Sequence, residues 1–310
     1  MVEENWDNKL EYLQKGRFLY HNDDYLEFLV KKVWCLNNPC KIADFGCGYG
    51  YLGIKLLPLL PAGSSYTGLD KSAPLLEEAK LFFSEMPYPH RFIESEVYNV
   101  PVEDNSFDVT LGHAVFMHLE RPADALNEMI RVTRDHGLVI TCDANRNAWS
   151  ALFYIDEVNT QEVVPLGLSQ QMNKDIREKT GIDYNIGIKT PVLMHKAGLK
   201  NIGCRISDCV TYLFPSMDDQ KKKQLHEAFC NEGLALPEEF EKKKTQWQDR
   251  LFSHGVSLEE IEAQMSLELE LDFRNKGENY HTVFPGLLTW SYGTVDKDPI
   301  ELKNSYKALL

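Results

Sequence analysis

Ile42-Ala43-Asp44-Phe45-Gly46-Cys47-Gly48-Tyr49-Gly50 is an apolar run that ends in an acid and breaks into three glycines spaced by two. The run over Lys41–Phe45 has the length and content of a buried strand. Glycine accepts the left-handed backbone that a tight turn needs, and bare glycine backbone lets a ligand approach closely. An amphipathic run over Leu52–Leu60 follows at once, so the segment reads as strand, glycine turn, helix. The next short apolar run, Ser65–Leu69, ends at Asp70, which lies 20 residues beyond Gly50. An acid at that distance is placed to accept hydrogen bonds from both hydroxyls of a ribose. Loop and acid together describe an adenosine pocket.

Outward from this segment, short apolar runs alternate with longer amphipathic ones. Ala73–Met86, His90–Ser95, Val109–Gly112, Pro122–Thr133 and Leu138–Cys142 continue the series. Strand and helix in alternation predict a doubly wound, mostly parallel α/β sheet with helices on both faces. Within residues 1–40, the stretch 5–36 carries apolar side chains at helical spacing (Leu10, Leu13, Phe18, Leu26, Leu29, Val30, Val33), with Asn22-Asp23-Asp24 as a cap between two helices. They predict an N-terminal helical layer. The core is expected over 41–144 plus 191–214 and 280–310, with Asn201–Phe214 as one further strand and Thr282–Thr294 as the last strand, at the sheet edge. Residues 145–190 and 215–279 are helical in pattern and are expected to form lid insertions over the carboxyl end of the sheet.

The 310 residues include 43% hydrophobic and 26% charged side chains, an ordinary globular composition. With 33 Lys and Arg against 47 Asp and Glu, the formal net charge of −14 opposes phosphate backbones and anionic headgroups. Neither nucleic acid nor membrane is expected as a partner, and the Lys221–Lys223 and Lys242–Lys244 runs read as solvated helix faces. The seven cysteines contain no C-x-x-C pair, so neither a disulfide framework nor a zinc site is expected, and a reducing cytoplasm fits best. No run of ~18 apolar residues is present. Composition leaves the oligomeric state open.

Gly48-Tyr49-Gly50-Tyr51-Leu52-Gly53 also satisfies G-x-G-x-x-G, so a NAD-dependent oxidoreductase is an alternative reading. Asp44 opposes it: a carboxylate at the mouth of the loop repels a pyrophosphate but suits a ligand carrying an ammonium and a sulfonium.

Five landmarks in order, Asp44–Gly50, Gly68–Asp70, Ser95–Asp108, Gly112–Leu119 and Ala125–Val132, resemble the class I S-adenosylmethionine-dependent methyltransferases, especially the bacterial small-molecule enzymes. The resemblance covers residues 40–143 well, 191–214 passably and the rest hardly at all. It implies a seven-stranded Rossmann-like sheet, S-adenosyl-L-methionine as cofactor, S-adenosyl-L-homocysteine as product, and a small-molecule acceptor. It further implies that the Gly46, Cys47, Gly48 and Gly50 loop cradles the amino-acid part of the cofactor and that Asp44 orients its ammonium. Asp70 would hold the ribose and Glu96 the adenine, with Leu69, Lys71, Ser72 and Val97 flanking the adenosine and His113 beside the sulfonium. Two positions depart from the family pattern: Glu96 stands for the usual Asp, and Asp135-His136-Gly137 for the usual Pro-Gly-Gly turn.

Methyl transfer is an in-line substitution that needs alignment, and a base only where the nucleophile must lose a proton. His118 and His113 are the candidates for that base; the alternative for each is a loop histidine bonded to backbone. Tyr20, His21, Trp149 and Tyr184 are candidates for the acceptor pocket, against plain packing of aromatics over the sheet ends. Asp143 with Asn145 faintly resembles half of a magnesium site, but Gly112-His113 stands where the other acid is needed, so no metal is expected. A protein that binds the cofactor as a sensor, without turnover, is the remaining alternative.

Overall fold

The computed structural model describes residues 6–7, 9–16, 19–148, 154–155, 166–231, 240–266 and 281–297. Seven strands form the main sheet: β1 (Lys41–Phe45), β2 (Ser65–Asp70), β3 (His90–Glu94), β4 (Phe107–His113), β5 (Thr133–Ala144), β7 (Lys200–Ile206) and β10 (Leu288–Thr294). Their order is β3-β2-β1-β4-β5-β10-β7, with all pairings parallel except the two that β10 makes. Helices α1 (Leu10–Gly16), α2 (Asp23–Phe28), α3 (Tyr51–Leu56), α4 (Ala73–Phe83) and α5 (Pro122–Val132) belong to the half that carries the landmarks. The fold is therefore the doubly wound, Rossmann-like sheet that the alternation predicts.

Local chemistry explains the helix starts. Ser72 caps α4 by accepting from the Leu75 N–H, and prolines stand in the first turns of α4 and α5, where their missing N–H costs nothing. Asn22 precedes α2 but makes no cap bond; its amide donates to Asp208 Oδ1 at 3.1 Å instead. The Asp135-His136-Gly137 turn lies within β5, with His136 in the left-handed region at φ 60°.

The β2 side of the core is an aromatic block. Tyr66 stacks on Phe83 with centroids 5.0 Å apart, and Phe92 meets Phe83 edge-on at 5.1 Å. Helix α3 lies so close to this block that a Cβ on Gly53 would sit 2.5 Å from the Tyr66 ring. The third glycine of G-x-G-x-x-G is therefore a packing glycine.

Two expectations about the carboxyl-terminal half need correction. The Asn201–Phe214 run is not one strand: β7 joins the main sheet, whereas β8 (Val210–Leu213) pairs with β9 (Thr282–Pro285) in a second sheet of order β6-β9-β8, where β6 is Tyr154–Ile155. Likewise Thr282–Thr294 breaks at Gly286-Leu287 into β9 and β10, and β10 lies inside the main sheet, with β7 outermost. Charge accounts for the order: β10 (LTWSYGT) has no charged residue and buries Trp290, whereas β7 (KNIGCRI) carries Lys200 and Arg205, which protect an open edge.

Beyond the core, α6 (Leu166–Thr180), α7 (Thr190–Lys196), α8 (Asp219–Asn231) and α9 (Phe240–Ser253) complete the named helices. The N-terminal segment is fastened to the far edge: Ser207 Oγ donates to the Tyr20 carbonyl at 2.8 Å, and Tyr25 Oη donates to the Ile206 carbonyl at 3.0 Å. Among the described residues no helix is long and apolar enough to cross a membrane.

Candidate active site

The strand order reverses between β1 and β4, and in open α/β sheets ligands bind outside the carboxyl ends of the strands at such a point. A cavity of about 1280 Å³ occupies that position. Its walls include Gly46 and Gly48 after β1, Asp70 and Lys71 at β2, Glu96 and Val97 after β3, His113 at the end of β4, and Ala144 and Arg146 at the end of β5.

The glycine loop is built by backbone geometry. Gly46, Gly48 and Gly50 have φ of 67°, 55° and 82°, conformations that residues with a Cβ rarely adopt. Contact adds to conformation at two of them: a Cβ on Gly46 would sit 2.6 Å from a Val115 methyl, and one on Gly50 would sit 2.6 Å from the Phe83 ring. The Gly46 and Cys47 N–H groups both donate to the Leu69 carbonyl, at 2.7 and 3.0 Å. Gly48 N–H donates to Asp70 Oδ2 at 2.7 Å, and Gly50 N–H to the Cys47 carbonyl at 2.9 Å. These four donors are consumed in holding the loop. A pyrophosphate needs such donors pointing at it, so the loop suits a ligand whose charge beside it is positive.

Asp70 accepts the Gly48 N–H through Oδ2 and the Ser72 N–H, at 2.9 Å, through Oδ1. It thus ties the glycine loop to the start of α4 while bordering the cavity. Burial pushes its carboxyl up, against the lowering effect of those two bonds. Each oxygen has a second lone pair, which a ribose hydroxyl can use.

Asp44 is not at the mouth of the loop, as its place in the sequence suggests. It is buried behind the loop, and the Tyr66 hydroxyl donates to its Oδ2 at 2.6 Å. It lines a side space of about 10 Å³ with Gly46, Gly48 and His113, which is about the room one water needs. Cys47 borders that same space. Burial, then the Asp44 and Asp70 charges, push its thiol well above the ordinary range, so it is a packing residue and not a nucleophile. Leu69 is fully buried, does not line the large cavity and acts through its carbonyl. Gly50 lines neither space and serves the turn.

Two histidines meet at the end of β4. His21 Nε2 and His113 Nε2 lie 2.7 Å apart, with ring centroids at 4.7 Å. One of the facing nitrogens must donate and the other accept, so they share one proton. Tyr51 and Trp290 complete the aromatic surround of His21, at 5.9 and 5.6 Å. Tyr20 lines the large cavity, whereas His21 reaches it only through His113.

His118 is carried on the 3₁₀ turn Phe116–His118. Its ring meets Trp6 edge-on at 4.9 Å and Tyr184 edge-on at 6.1 Å. Asp143, fully buried at the end of β5, holds the turn: its Oδ1 accepts the Met117 N–H at 3.2 Å, and no described residue bonds Oδ2. Burial raises its pKa to about 7. Asp143 therefore has a structural task, and no cluster of three metal-ligating side chains exists among the described residues. Trp149 lies outside the described residues.

Sequence reading missed Trp6, Lys9, Arg121, Arg146 and Arg250, all of which line the cavity. Arg146 carried the clearest signal, a cation two residues beyond the end of a buried strand.

A family model described as a methyltransferase domain matches residues 43–141. The chain carries a class I S-adenosylmethionine-dependent methyltransferase domain. An uncharacterized methyltransferase of Schizosaccharomyces pombe is 32% identical over 38% of this chain and 44% of its own length. A 2-phytyl-1,4-naphtoquinone methyltransferase of Trichormus variabilis is 33% identical over 33% of this chain and 46% of its own. The chain thus spans under half the length of these two relatives. A demethylmenaquinone methyltransferase of Staphylococcus haemolyticus is 27% identical over 53% of this chain and 70% of its own length. Among solved structures, Haemonchus contortus phospholethanolamine N-methyltransferase 2, bound to phosphomonomethylethanolamine and S-adenosylhomocysteine, matches with a TM-score of 0.50 at 12% identity, over 96% of this chain and 60% of that one. The [4+2]-cyclase SpnF matches equally, with a TM-score of 0.50 at 12% identity over 94% of both chains. At such identities these structures show the fold of the methyltransferase domain and nothing of its chemistry.

Proposed function

We propose that the protein transfers the methyl group of S-adenosyl-L-methionine to a small-molecule acceptor in the cavity at the β1/β4 switch point, releasing S-adenosyl-L-homocysteine. The single observation that carries this reading is the arrangement around the glycine loop: its donors are spent internally, a buried carboxylate stands behind it and Asp70 beside it. That arrangement repels a pyrophosphate and attracts an ammonium, which separates the methyltransferase reading from the NAD-dependent one.

The bound cofactor supplies a methyl group made electrophilic by its sulfonium. The chain's residues orient and shield it. Asp70 takes the ribose hydroxyls, Glu96 takes the adenine amino group, and Val97 and Lys71 border the adenosine. Asp44 would orient the ammonium, directly or through a water in the side space. His113, its proton shared with His21, lines the cavity and would stand beside the sulfonium. His118 stands at the same end and takes the proton of a nucleophile that must lose one.

The volume speaks against a cofactor sensor without turnover. About 1280 Å³ exceeds the ~300–1,000 Å³ typical of a site for one drug-sized ligand, which leaves room for an acceptor. The scattered thiols and negative net charge fit a cytoplasmic enzyme of soluble metabolites.

Titration calorimetry of the full chain with S-adenosylmethionine, S-adenosylhomocysteine and NAD, with Asp70→Ala alongside, tests the reading. Micromolar binding of both sulfur ligands, lost in the variant, is expected. Binding of NAD alone would refute it.

A further inference from the structure

We infer that the part of the cavity beside Arg146 binds an acceptor bearing a carboxylate or phosphate, and that Arg146 holds this group. The inference rests on the methyltransferase reading, which sets the part beside Asp70 and Glu96 aside for the cofactor.

The first observation is a local reversal of charge. The chain has a net charge of −14. Yet the described residues lining the cavity include Lys9, Lys71, Arg121, Arg146 and Arg250 against only Asp70, Glu96 and Glu120. Asp70 ends β2 and Glu96 follows β3, where the adenosine would lie, and Arg121, over the Tyr98 ring and paired with Asp124 at 3.0 Å, belongs to that side; Arg146 and Arg250 remain against Glu120. A protein of this charge repels anions at long range. Cations gathered in a concave wall restore the attraction where it is needed, and there they act at reduced dielectric.

The second observation is how firmly Arg146 is placed. It follows β5 by two residues, and its backbone N–H donates to the Tyr184 carbonyl at 3.3 Å. The next residue continues the fastening: Asn147 N–H donates to Asn185 Oδ1 at 3.0 Å, and Asn147 Oδ1 accepts from Asn173 of α6 at 2.8 Å. The guanidinium lies over the Tyr184 ring, 5.2 Å from its centroid, and the same ring faces His118. Stacking engages the face of a guanidinium. Its N–H fork lies in the plane, where a carboxylate or phosphate docks through two parallel bonds.

The third observation concerns the nearby acids. Asp183 is engaged by Lys189 and Arg177, and Asp175 by His254 and Lys179. These acids have cations of their own beside them, apart from Arg146 and Arg250. An acceptor held at Arg146 has its remainder directed along Tyr184 toward His118, the side from which a nucleophile would approach the methyl group.

Calorimetry on the full chain saturated with S-adenosylhomocysteine tests this, with benzoate, phenyl phosphate and neutral benzyl alcohol as probes. At least one anion is expected to bind tenfold or more tighter than benzyl alcohol, and the tighter of the two identifies the group. Arg146→Gln is expected to weaken that anion at least tenfold and leave S-adenosylhomocysteine affinity unchanged. Benzyl alcohol binding as tightly as the anions, no binding of either anion, or an unaltered anion affinity in R146Q would overturn the inference. If R146Q also loses S-adenosylhomocysteine, Arg146→Lys decides: anion binding weakened with cofactor affinity kept supports the inference, and unchanged anion binding overturns it. If the wild type binds no sulfur ligand, the methyltransferase reading fails separately, and the same probes on the bare protein still decide the role of Arg146.

Discussion

Replacing Asp143 by Asn separates the cost of burying a carboxyl from the benefit of the turn it holds. Asp143 sits fully buried at the end of β5, accepts the Met117 N–H through one oxygen, and has its pKa raised from 3.8 to about 7. The native state therefore keeps a proton that the unfolded chain gives up near pH 4. Stability from this group is complete below the unfolded pKa and is lost progressively as pH rises to about 7, because there the unfolded state binds fewer protons. Each tenfold in proton affinity is worth about 1.4 kcal/mol, so between pH 5 and pH 8.5 the ceiling on the loss is about 3 kcal/mol. Asparagine keeps an oxygen for the Met117 N–H and has nothing to ionise. Guanidinium unfolding of wild type and Asp143→Asn at pH 5 and pH 8.5 checks this. The variant is expected to gain on the wild type by up to about 3 kcal/mol between the two conditions. A stability difference equal at both pH values would refute the reasoning.

Gly50→Ala combines a left-handed backbone with a Cβ 2.6 Å from Phe83; it should lower stability by about 1–3 kcal/mol, read by thermal unfolding, and weaken S-adenosylhomocysteine in calorimetry. Iodoacetamide at pH 8 should alkylate exposed Cys35 and Cys204 and spare buried Cys47, read by peptide mass spectrometry; fast labelling of Cys47 in the folded protein contradicts its packing role. With an acceptor in hand, His118→Ala should lower kcat by about 10²–10⁴ if the nucleophile carries a proton to be removed. Unchanged kcat at every pH ends its role as base. Alanine at both Tyr20 and His21 should weaken cofactor affinity, since one lines the cavity and the other shares a proton with His113; unchanged affinity would limit that segment to packing.

The part of the site legible in sequence is the part built by neighbours in the chain. Gly46, Gly48, Gly50 and Asp70 belong to one strand-turn-helix-strand unit, where backbone requirements and ligand chemistry fall on the same few residues. Contacts between distant elements were not legible. His113 meets a histidine 92 positions away, and Arg146 acquires its place from Tyr184 and α6. Asp44 was read for its charge alone, and its sequence position gave no sign that Tyr66 would cover it. Residues Thr282–Thr294 were recognisable as strand from their side chains, yet their place in the sheet depended on which strand could tolerate an open edge. The absence of charge in LTWSYGT beside the Lys and Arg of KNIGCRI was a signal available from the start.

The inner position of β10 also sets a schedule for biosynthesis. Leu288 pairs with Ala144, so β5 acquires its second neighbour only when 144 further residues have left the ribosome. At ~5–20 residues per second this interval is roughly 7–30 s. During it the first five strands can assemble while one flank of β5 shows bare backbone, and β7 waits with nothing to join. A nascent chain in that state resembles the open-edged intermediates that stick to one another, so substitutions that weaken β10 should appear first as poor yield of folded protein rather than as altered chemistry in what does fold.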